Sequence, residues 1–354
     1  MGYRGFSGMT AATDPALALK VVAIGGGTGL ATLLRGLKSF VPLRSDSPSD
    51  NLYISNLTAV VTVTDDGGSS GRLRKDLGVL PPGDIRNCMI ALSEDEQLLA
   101  RLFQYRFTSG ELEGHNFGNL FLTALSSITG DFAEAVKLSS GILKARGEIV
   151  PSTTSNVQLD AIMDDGSRVC GETSISASRR RIVRIQLVPA NARPLPQTLR
   201  AIAEADLITI GPGSLFTSLV PNLLVNGIPE AIAASKGLKA YVGNLMTQAN
   251  ESLGMSASDH IRVLFQHAQQ KVFDYALLNT TPVPASLKMA YAAEQAEPIV
   301  NDLERIRELG VEPILGEYLD DKVVARHNYG RIASELIEFS AARRRKGKMG
   351  SSVE

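Results

Sequence analysis

Cysteine, tryptophan and long apolar runs are scarce or missing in this sequence of 354 residues. Cys88 and Cys170 are the only cysteines, and tryptophan is absent. Two cysteines without metal-ligand spacing fit a reducing cytosol. No apolar run reaches the roughly 18 residues that span a bilayer, and residues 1–14 lack the apolar core of a secretory signal. The sequence therefore predicts a cytoplasmic protein with no membrane span.

Neither positive nor negative charge is in excess. Lysine and arginine total 36, aspartate and glutamate total 37, and the net charge is -1. This balance gives no support for a general nucleic-acid-binding protein. The 44% of hydrophobic residues is enough for a sizeable core. We expect a flexible tail at residues 1–17, one domain over 18–343, and a basic flexible tail at 344–354.

Glycine, by contrast, marks five loops that each follow an apolar run and precede a helix-like pattern. The loops are residues 25–29, 65–71, 81–87, 114–119 and 211–214. Glycine lets the backbone approach an oxyanion closely, and a helix N-terminus offers free N–H groups and a partial positive charge. Several such loops in one chain predict an α/β sheet whose strand ends converge on a phosphate-bearing ligand.

Alternating β-like and helix-like patterns predict the fold class. Residues 19–24, 57–64, 207–210, 240–245 and 275–279 have strand character and alternate with helical spacing. This order favours a Rossmann-like, doubly wound, mainly parallel sheet. Between residues 146 and 190 the pattern changes to short segments, with a hairpin signal at 164–166. We expect a small antiparallel β subdomain inserted there, with strands at 158–163, 168–174 and 181–187.

The first glycine loop partly matches the dinucleotide fingerprint. Gly25, Gly27 and Leu30 occupy its three glycine places, so the third glycine is missing. A nucleotide site and a plain strand-to-helix turn both remain open for this loop. Thr28 suits a helix cap and also a phosphate contact. The missing glycine, and the lack of a credible acid/base histidine, argue against a Rossmann-type dehydrogenase.

Asp65 and Asp66 end the second strand-like run. A carboxylate at this place can bond a ribose hydroxyl, paired carboxylates can hold Mg²⁺ beside a diphosphate, and a helix N-cap with a solvated acid is the structural alternative. They are the candidate catalytic and metal-binding residues. The following segment, 67–74, suits backbone wrapping through its glycines and serines, and its Arg72 and Arg74 suit recognition of a phosphate or a carboxylate. We expect this segment to be a mobile lid.

Two further loops offer polar side chains. Asp84 is placed as a helix N-cap, and Asn87, one turn later, is placed to face the same cleft. A lone histidine is more often structural, but His115 lies in a polar loop that leads into Asn119 and the next helix, so a ligand contact stays open beside the structural role. No other histidine, cysteine or aspartate stands at zinc-ligand spacing from it.

The strongest anion cradle follows the buried strand at 207–210. Gly211, Pro212 and Gly213 form the turn, Ser214 starts a helix, and Thr217 and Ser218 lie one turn later. The Gly-Lys-Ser/Thr ending of a P-loop is missing, which argues against an ATPase or kinase of that class.

Taken in order, these loops resemble the CofD/YvcK family over roughly residues 20–338. The matching segments are Ala-Ile-Gly-Gly-Gly-Thr-Gly at 23–29, Asp-Asp-Gly-Gly-Ser-Ser-Gly-Arg-Leu-Arg at 65–74, Pro-Gly-Asp-Ile-Arg-Asn at 82–87, Gly-His and Gly-Asn-Leu within 114–120, Ile-Gly-Pro-Gly-Ser-Leu-Phe-Thr-Ser at 210–218 and Asn-Leu-Met-Thr-Gln at 244–248. Together these motifs are highly specific. The segment at 45–50 and the tail after residue 343 depart from the family pattern.

The family has two branches, and the resemblance implies a different function for each. The CofD branch comprises 2-phospho-lactate transferases that use a nucleotide-activated substrate and Mg²⁺. The YvcK branch comprises gluconeogenesis factors that bind UDP-sugars and affect cell shape on gluconeogenic carbon. The residue sequences of segments 65–74 and 82–87 resemble those of the second, YvcK branch more closely. The resemblance therefore implies a protein that binds a UDP-sugar, UDP-N-acetylglucosamine above all, with the Mg²⁺-dependent transferase as the alternative. It also implies a homo-oligomer and a regulatory protein partner.

The predicted ligand contacts come from the glycine loops and from two positions implied by the resemblance, Tyr291 and Arg326. A tyrosine can stack on uracil, and an arginine can clamp a diphosphate. The full set is Gly26, Gly27, Thr28, Gly29, Asp65, Asp66, Gly68, Ser69, Ser70, Arg72, Gly83, Asp84, Asn87, His115, Asn119, Gly211, Pro212, Gly213, Ser214, Thr217, Ser218, Asn244, Thr247, Tyr291 and Arg326.

Overall fold

A seven-stranded parallel sheet forms the centre of the fold in the computed structural model, which describes residues 17–43, 52–94, 98–178, 180–320 and 325–350. The strands are β1 (Leu17–Gly25), β2 (Leu52–Val61), β3 (Glu148–Pro151), β4 (Gln158–Met163), β5 (Arg168–Cys170), β6 (Ile182–Val188), β7 (Leu207–Ile210), β8 (Leu238–Val242), β9 (Tyr275–Asn279), β10 (Glu312–Gly316), β11 (Leu319–Asp320) and β12 (Arg326–His327). The sheet order is β10-β9-β8-β7-β1-β2-β3.

Helices cover the sheet and connect its strands. They are α1 (Gly27–Lys38), α2 (Gly68–Leu77), α3 (Gly83–Leu92), α4 (Leu98–Gln104), α5 (Phe117–Thr129), α6 (Phe132–Ile142), α7 (Glu172–Ala177), α8 (Pro196–Glu204), α9 (Val220–Leu223), α10 (Ile228–Ala234), α11 (Ala257–Ala268), α12 (Ala285–Ala292), α13 (Leu303–Glu308) and α14 (Tyr329–Gly350), with a π-helical turn at Leu215–Leu219. The Rossmann-like, doubly wound class predicted from the sequence is confirmed.

The order of the strands contains one switch point. The chain enters at β1, builds outward through β2 and β3, and then returns to β1's other side with β7. Both ladders of β1 are parallel. At such a point the loops after two neighbouring strands diverge, and the crevice between them is where doubly wound folds bind ligands. Here the loops are the first glycine loop, after β1, and the anion cradle, after β7.

Strand burial explains why these sequences form the sheet. All four residues of β7 and the last five of β1 are buried. Continuous apolar runs of this kind are typical of parallel strands that are covered by helices on both faces.

The inserted antiparallel sheet is confirmed, with the strand order β5-β4-β6. Its strands differ from the prediction at two places. β3 pairs in parallel with β2, so residues 148–151 belong to the main sheet. The predicted strand at 168–174 stops at Cys170, because Gly171 turns the chain at a φ of 89° and α7 begins.

Segment 67–74 is not the mobile lid that we expected. It contains the start of α2, in which Ser69, Ser70 and Arg74 are buried. The Arg74 guanidinium donates to the side-chain oxygen of Asn156 at 2.6 Å and to the carbonyl oxygen of Val157 at 2.5 Å. These bonds join α2 to the entry of the inserted sheet.

The basic C-terminal segment also differs from the prediction. α14 continues to Gly350, so residues 344–350 are helical where we expected a flexible tail. The Arg344 guanidinium donates to the carbonyl oxygen of Ala18 and to the carboxylate of Asp206, which holds this helix against β1. The predicted N-terminal tail lies outside the described residues except for Leu17, the first residue of β1. The divergent segment at 45–50 lies outside them as well.

Within the described residues, no single helix combines the length and apolarity needed to cross a bilayer; one bent pair, Leu215–Leu223 with Ile228–Ala234, meets the length and composition test together across a 76° bend.

Gly36 on α1 sets how closely α1 and α14 pack, and Gly36→Ala tests that contact. A Cβ at this position would overlap the carbonyl oxygen of Tyr329, so we expect a loss of about 1–3 kcal/mol in the free energy of unfolding. Gly141→Ala on α6 is the matched control, because nothing lies within 4 Å of its Cβ position and alanine favours a helix by about 1 kcal/mol. In urea unfolding, the midpoint of Gly36→Ala should lie below that of the wild type and the midpoint of Gly141→Ala above it. A Gly36→Ala midpoint at or above that of the wild type would contradict the packing.

Candidate functional site

The loops after β1 and β7 touch through their backbones at the switch point. A Cβ on Gly29 would overlap the carbonyl group of Pro212, and a Cβ on Gly26 would overlap the Thr62 methyl group. Any larger side chain would clash with the Pro212 backbone at Gly29 and with Thr62, just after β2, at Gly26. Glycine is therefore required at both places. α1 starts at Gly27, whose φ is 61°, and its first N–H groups lie at this contact. The arrangement brings a helix N-terminus beside the cradle, as an anion site requires.

A cleft of about 300 Å³ opens between these two loops, and we call it the switch-point cleft. It contains eleven of the predicted contact residues, together with five that were not predicted to contact a ligand. Its lining is Gly26, Gly27, Thr28, Gly29, Pro212, Gly213, Ser214, Ser218, Asn244, Leu245, Met246, Thr247, Gln248, Tyr291, Ala325 and His327.

Side chains of the turn after β8 form hydrogen bonds with the Gly213–Ser214 cradle. The Asn244 amide donates to the carbonyl oxygen of Gly213 at 2.8 Å and accepts from its N–H at 3.4 Å. The Gln248 amide donates to the Ser214 hydroxyl at 3.0 Å. The Thr247 hydroxyl accepts from the N–H of Glu297 at 2.9 Å, so part of its hydrogen-bonding capacity is already used. Gln248 was part of a quoted motif but not a predicted contact.

Two predicted cradle residues do not line this cleft. The Thr217 hydroxyl turns to the buried Glu251 carboxylate, to which it donates at 2.9 Å, and the same carboxylate accepts from the N–H of Phe216. The reason is the π-helical turn at Leu215–Leu219, which leaves Ser218 but not Thr217 on the cleft side. Gly211, with a φ of 82°, supplies the turn and no lining surface.

Asp84 acts differently from the predicted N-cap of α3. The helix begins at Gly83 with Pro82 as its N-cap, and Asp84 makes no side-chain cap bond there. Its buried carboxyl instead accepts from the N–H of Gly27 at the start of α1. Burial is the main reason that its pKa is raised to about 6; the Gly27 hydrogen bond opposes this shift and the nearby Asp65 charge adds to it. Asp84 therefore ties α3 to the first glycine loop.

Asp65 and Asp66 point to different partners. One Asp65 oxygen accepts from the N–H of Gly67 at 2.9 Å. Asp66 accepts from both the N–H and the hydroxyl of Thr173, at 2.8 and 2.6 Å, and so holds the first turn of α7. The two carboxylates therefore have separate hydrogen-bond partners in this structure. Over the described residues, no group of three or more histidine, cysteine, aspartate or glutamate side chains is arranged to hold a metal ion.

The predicted contacts on α2 and in the 114–119 loop bind one another instead of lining the cleft. The Ser69 hydroxyl contacts Nδ1 of His115 at 3.2 Å, and the Asn119 amide donates to the Ser70 hydroxyl at 3.4 Å. Arg72 donates to the carbonyl oxygen of Glu113 at 2.7 Å. Burial lowers the pKa of His115, which keeps this ring neutral at pH 7.

Two glycines belong to the same neighbourhood. A Cβ at Gly83 would stand 2.7 Å from both an Asp65 oxygen and the Ser70 hydroxyl, and Gly68 has a φ of 48°. Gly83 therefore allows close approach between α2, α3 and the end of β2, whereas Gly68 has nothing within 4 Å of its Cβ position and serves the turn into α2 through its positive φ. Neither glycine lines the switch-point cleft.

A second cleft, of about 380 Å³, adjoins the first and contains Asn87 and Arg326. It shares five residues with the switch-point cleft: Thr28, Gly29, Pro212, Ala325 and His327. Asn87 and Arg326 therefore lie beside the cradle, in the lining of this second cleft and not of the first.

Two carboxyls near the site, the half-buried Glu172 and the buried Glu251, were missed by sequence reasoning. Glu172 comes from the inserted subdomain, and Glu251 from the turn before α11. Burial raises the pKa of Glu172 to about 9, helped by the charges of Asp84 and Asp65. Burial also raises the pKa of Glu251. No local pattern marks either residue, because each reaches the site from a distant part of the chain.

A larger cleft, of about 720 Å³, lies elsewhere, at the amino end of β3. Its walls include Glu94, Asp131, Arg146, Glu148 and Arg200. None of the predicted contact residues lines it, and it has no glycine loop after a parallel strand. Size alone would favour this cleft, but the backbone donors and close approaches that suit a phosphate are at the switch point.

Replacing Glu172 with glutamine tests the raised pKa of this carboxyl. In the unfolded chain a glutamate titrates at about 4.3, whereas in the folded protein the pKa of Glu172 is about 9. Between these values the folded state binds more protons, so this carboxyl lowers the free energy of unfolding as pH rises from about 4 to 9. Glutamine is neutral throughout. Glu172→Gln should therefore gain at least about 1 kcal/mol at pH 8, a rise of about 2 °C or more in Tm.

Thermal unfolding in EDTA, from pH 4 to pH 9, checks this prediction. The wild-type and Glu172→Gln curves should coincide near pH 4 and separate towards pH 8. Glu308→Gln, at an exposed position on α13, should follow the wild type throughout. Equal melting temperatures at pH 8 for wild type and Glu172→Gln would contradict the assignment.

Comparisons with known proteins identify the family. The family model described as 2-phospho-L-lactate transferase CofD matches residues 21–319. A "Gluconeogenesis factor" of Bacillus subtilis is 45% identical over 322 residues, which are 90% of this chain and 98% of that protein. One of Halalkalibacterium halodurans is 45% identical over 320 residues, 90% of this chain and 95% of that protein. A "Putative gluconeogenesis factor" of Nostoc is 48% identical over 324 residues, 90% of this chain and 68% of that protein.

The fold agrees with this result. A crystal structure of a member of the UPF0052 family from Bacillus halodurans superposes with a TM-score of 0.85 at 44% identity, covering 90% of this chain and 99% of that one. The chain therefore belongs to the CofD family, and its similar relatives carry the name gluconeogenesis factor.

Proposed function

We propose that this protein is a gluconeogenesis-factor-type regulator that binds a UDP-sugar, UDP-N-acetylglucosamine in the first place, in the switch-point cleft. The observation that carries the proposal is the backbone contact between the glycine loops after β1 and β7. It presents the start of α1 and the Gly213–Ser214 cradle to one volume of about 300 Å³. Preorganised N–H donors of this kind suit a diphosphate.

Side chains at the far end of the cleft suit the nucleoside. Tyr291, on α12, is half-buried and lines the cleft beside Met246. A tyrosine ring presents a flat face to a uracil base, and its hydroxyl can meet a polar edge. The Ser218 and Asn244 side chains lie nearer the glycine loops, where they are placed to bond phosphate or ribose oxygens.

Binding without turnover is favoured over transfer chemistry by the positions of the acids. Asp66 is engaged by Thr173, and Asp65 by the N–H of Gly67. Neither carboxylate lines the switch-point cleft. These hydrogen-bond partners favour a structural role for both acids over the paired Mg²⁺ site that a transferase mechanism would need.

The alternative is a Mg²⁺-dependent transferase of the 2-phospho-lactate type that acts on a nucleotide-activated donor. The family description favours it, and the relatives' names favour the regulator. We further propose that the regulator acts on cell shape and cell-wall metabolism during gluconeogenic growth in the cytoplasm, as a homo-oligomer with a regulatory protein partner.

Calorimetric titration with UDP-N-acetylglucosamine, with and without Mg²⁺, tests binding, and recovery of the ligand tests turnover. We expect micromolar or tighter binding with the ligand intact. Consumption of the ligand would make the protein an enzyme. If UDP-N-acetylglucosamine does not bind and a guanosine-linked donor is converted with a deazaflavin acceptor, the transferase is the correct function.

Tyr291 provides the residue-level test of the nucleoside end. Tyr291→Leu should weaken UDP-N-acetylglucosamine binding by about 10-fold or more, because base–aromatic stacking is worth about 1–3 kcal/mol. Tyr291→Phe keeps the ring and is the matched control, with an affinity close to that of the wild type. Equal affinities for the leucine and phenylalanine variants would remove Tyr291 from the base site.

A further inference from the structure

The cleft beside the switch point has two arginines on its walls, and we call it the two-arginine cleft. It encloses about 380 Å³ between α1, α3, the end of α4 and β12. Its lining is Thr28, Gly29, Ala31, Thr32, Arg35, Asn87, Ile90, Gln104, Pro212, Ala325, Arg326 and His327. Arg35, Thr32 and Gln104 were not among the residues predicted to contact a ligand.

Both guanidinium groups in this cleft lack a protein partner. Arg35 and Arg326 are exposed, and neither side chain forms a hydrogen bond or ion pair with any part of the chain that the structure describes. Most other guanidiniums near the site are engaged: Arg72, Arg74 and Arg86 bond to carbonyl or amide oxygens. Two unengaged guanidiniums facing one cleft leave a strong positive charge for a ligand.

The geometry of α1 directs Arg35 towards the cradle. Thr28, Thr32 and Arg35 are spaced by four and three residues, so they lie on one face of the helix. Long helical side chains lean towards the N-terminus, which here is the end that meets the cradle. The rise along α1 from Thr28 to Arg35 is about 10 Å. Because the Arg35 side chain leans towards the N-terminus, its guanidinium lies closer to the cradle than its Cα does.

Among the described residues of the lining, the remaining polar groups add donors and no carboxylate. The side-chain oxygen of Asn87 accepts from Arg86 at 2.8 Å, so its NH₂ group is the part left for a ligand. His327 contacts the carbonyl oxygen of Gly243 through Nε2 at 2.9 Å, and burial lowers its pKa to about 4. This ring is therefore neutral at pH 7, and the positive charge of the cleft belongs to Arg35 and Arg326.

We propose that the two-arginine cleft binds an anionic group, a carboxylate or a phosphate, beside the diphosphate of the nucleotide-sugar. This inference rests on the proposed function, because the two clefts share the Thr28–Gly29 and Pro212 walls. A guanidinium binds carboxylate and phosphate in the same bidentate way. The anionic group comes either from the sugar of the same ligand or from a separate small anion bound next to it.

A matched pair of ligands tests the first source. UDP-glucuronate and UDP-glucose differ only in a carboxylate against a hydroxymethyl group on the sugar. We expect wild-type protein to bind UDP-glucuronate at least ten-fold more tightly in calorimetry at constant ionic strength. Arg35→Gln should remove that preference and leave UDP-glucose binding within about two-fold of wild type. Arg305→Gln, at an exposed position on α13 outside both clefts, should keep the preference.

Inorganic phosphate tests the second source. Titration of phosphate into protein saturated with UDP-glucose should give binding that Arg35→Gln weakens at least ten-fold, if a separate anion is the occupant. In that case UDP-glucuronate has no advantage over UDP-glucose. Arg35→Lys should keep part of the phosphate affinity, because it retains the charge and loses the bidentate geometry.

The outcomes separate this inference from the proposed function. If UDP-glucose binds but neither the carboxylate nor phosphate is favoured, the inference is wrong and the proposed function stands. A preference that survives Arg35→Gln unchanged also overturns the inference. If no UDP-sugar binds in any form, both the proposed function and the inference fail.

Discussion

The backbone contact between Gly29 and Pro212 is the constraint on which the rest of the site depends. No side chain larger than hydrogen fits at Gly29, so the loops after β1 and β7 are held against each other at the sheet's switch point. Gly26 permits the same closeness to the end of β2, and Asp84 locks α3 onto the N–H of Gly27. Because these contacts are made by main chain and buried groups, the N–H donors of the cradle are fixed before any ligand arrives. Preorganisation of this kind lowers the entropy lost on binding.

The inserted subdomain is part of this construction and not a separate module. Asp66 at the end of β2 holds the first turn of α7 through Thr173, and Arg74 on α2 holds Asn156 at the entry of the insertion. Through α7 the insertion also places the Glu172 carboxyl near Asp84 and Asp65, where burial keeps it protonated at pH 7. A change in the insertion would therefore reach the acidic groups behind the glycine loops, although the insertion adds no residue to the lining of the switch-point cleft.

Local pattern predicted the sheet, its class and the loops that form the cradle, because strand periodicity and glycine placement are written in neighbouring residues. β7 was predicted at its observed bounds, and the first glycine loop joins a strand, β1, to a helix, α1, as its sequence pattern predicted. Side-chain direction was not predictable in the same way. Thr217 turns to Glu251 because the segment forms a π-helical turn, and the Asp65–Asp66 pair separates because Thr173, more than a hundred residues away, takes one carboxylate. Likewise, the tail expected from residue 344 continues as α14 because Arg344 meets Ala18 and Asp206, contacts that only the folded chain brings together.

A crystal structure of the protein grown with UDP-N-acetylglucosamine is the most direct test of where the ligand binds. The account predicts diphosphate oxygens within hydrogen-bonding distance of the N–H groups at the start of α1 and in the Gly213–Ser214 turn, with the uracil ring against Tyr291. Density for the ligand in the cleft of about 720 Å³ at the amino end of β3, with the switch-point cleft free of ligand, would contradict it.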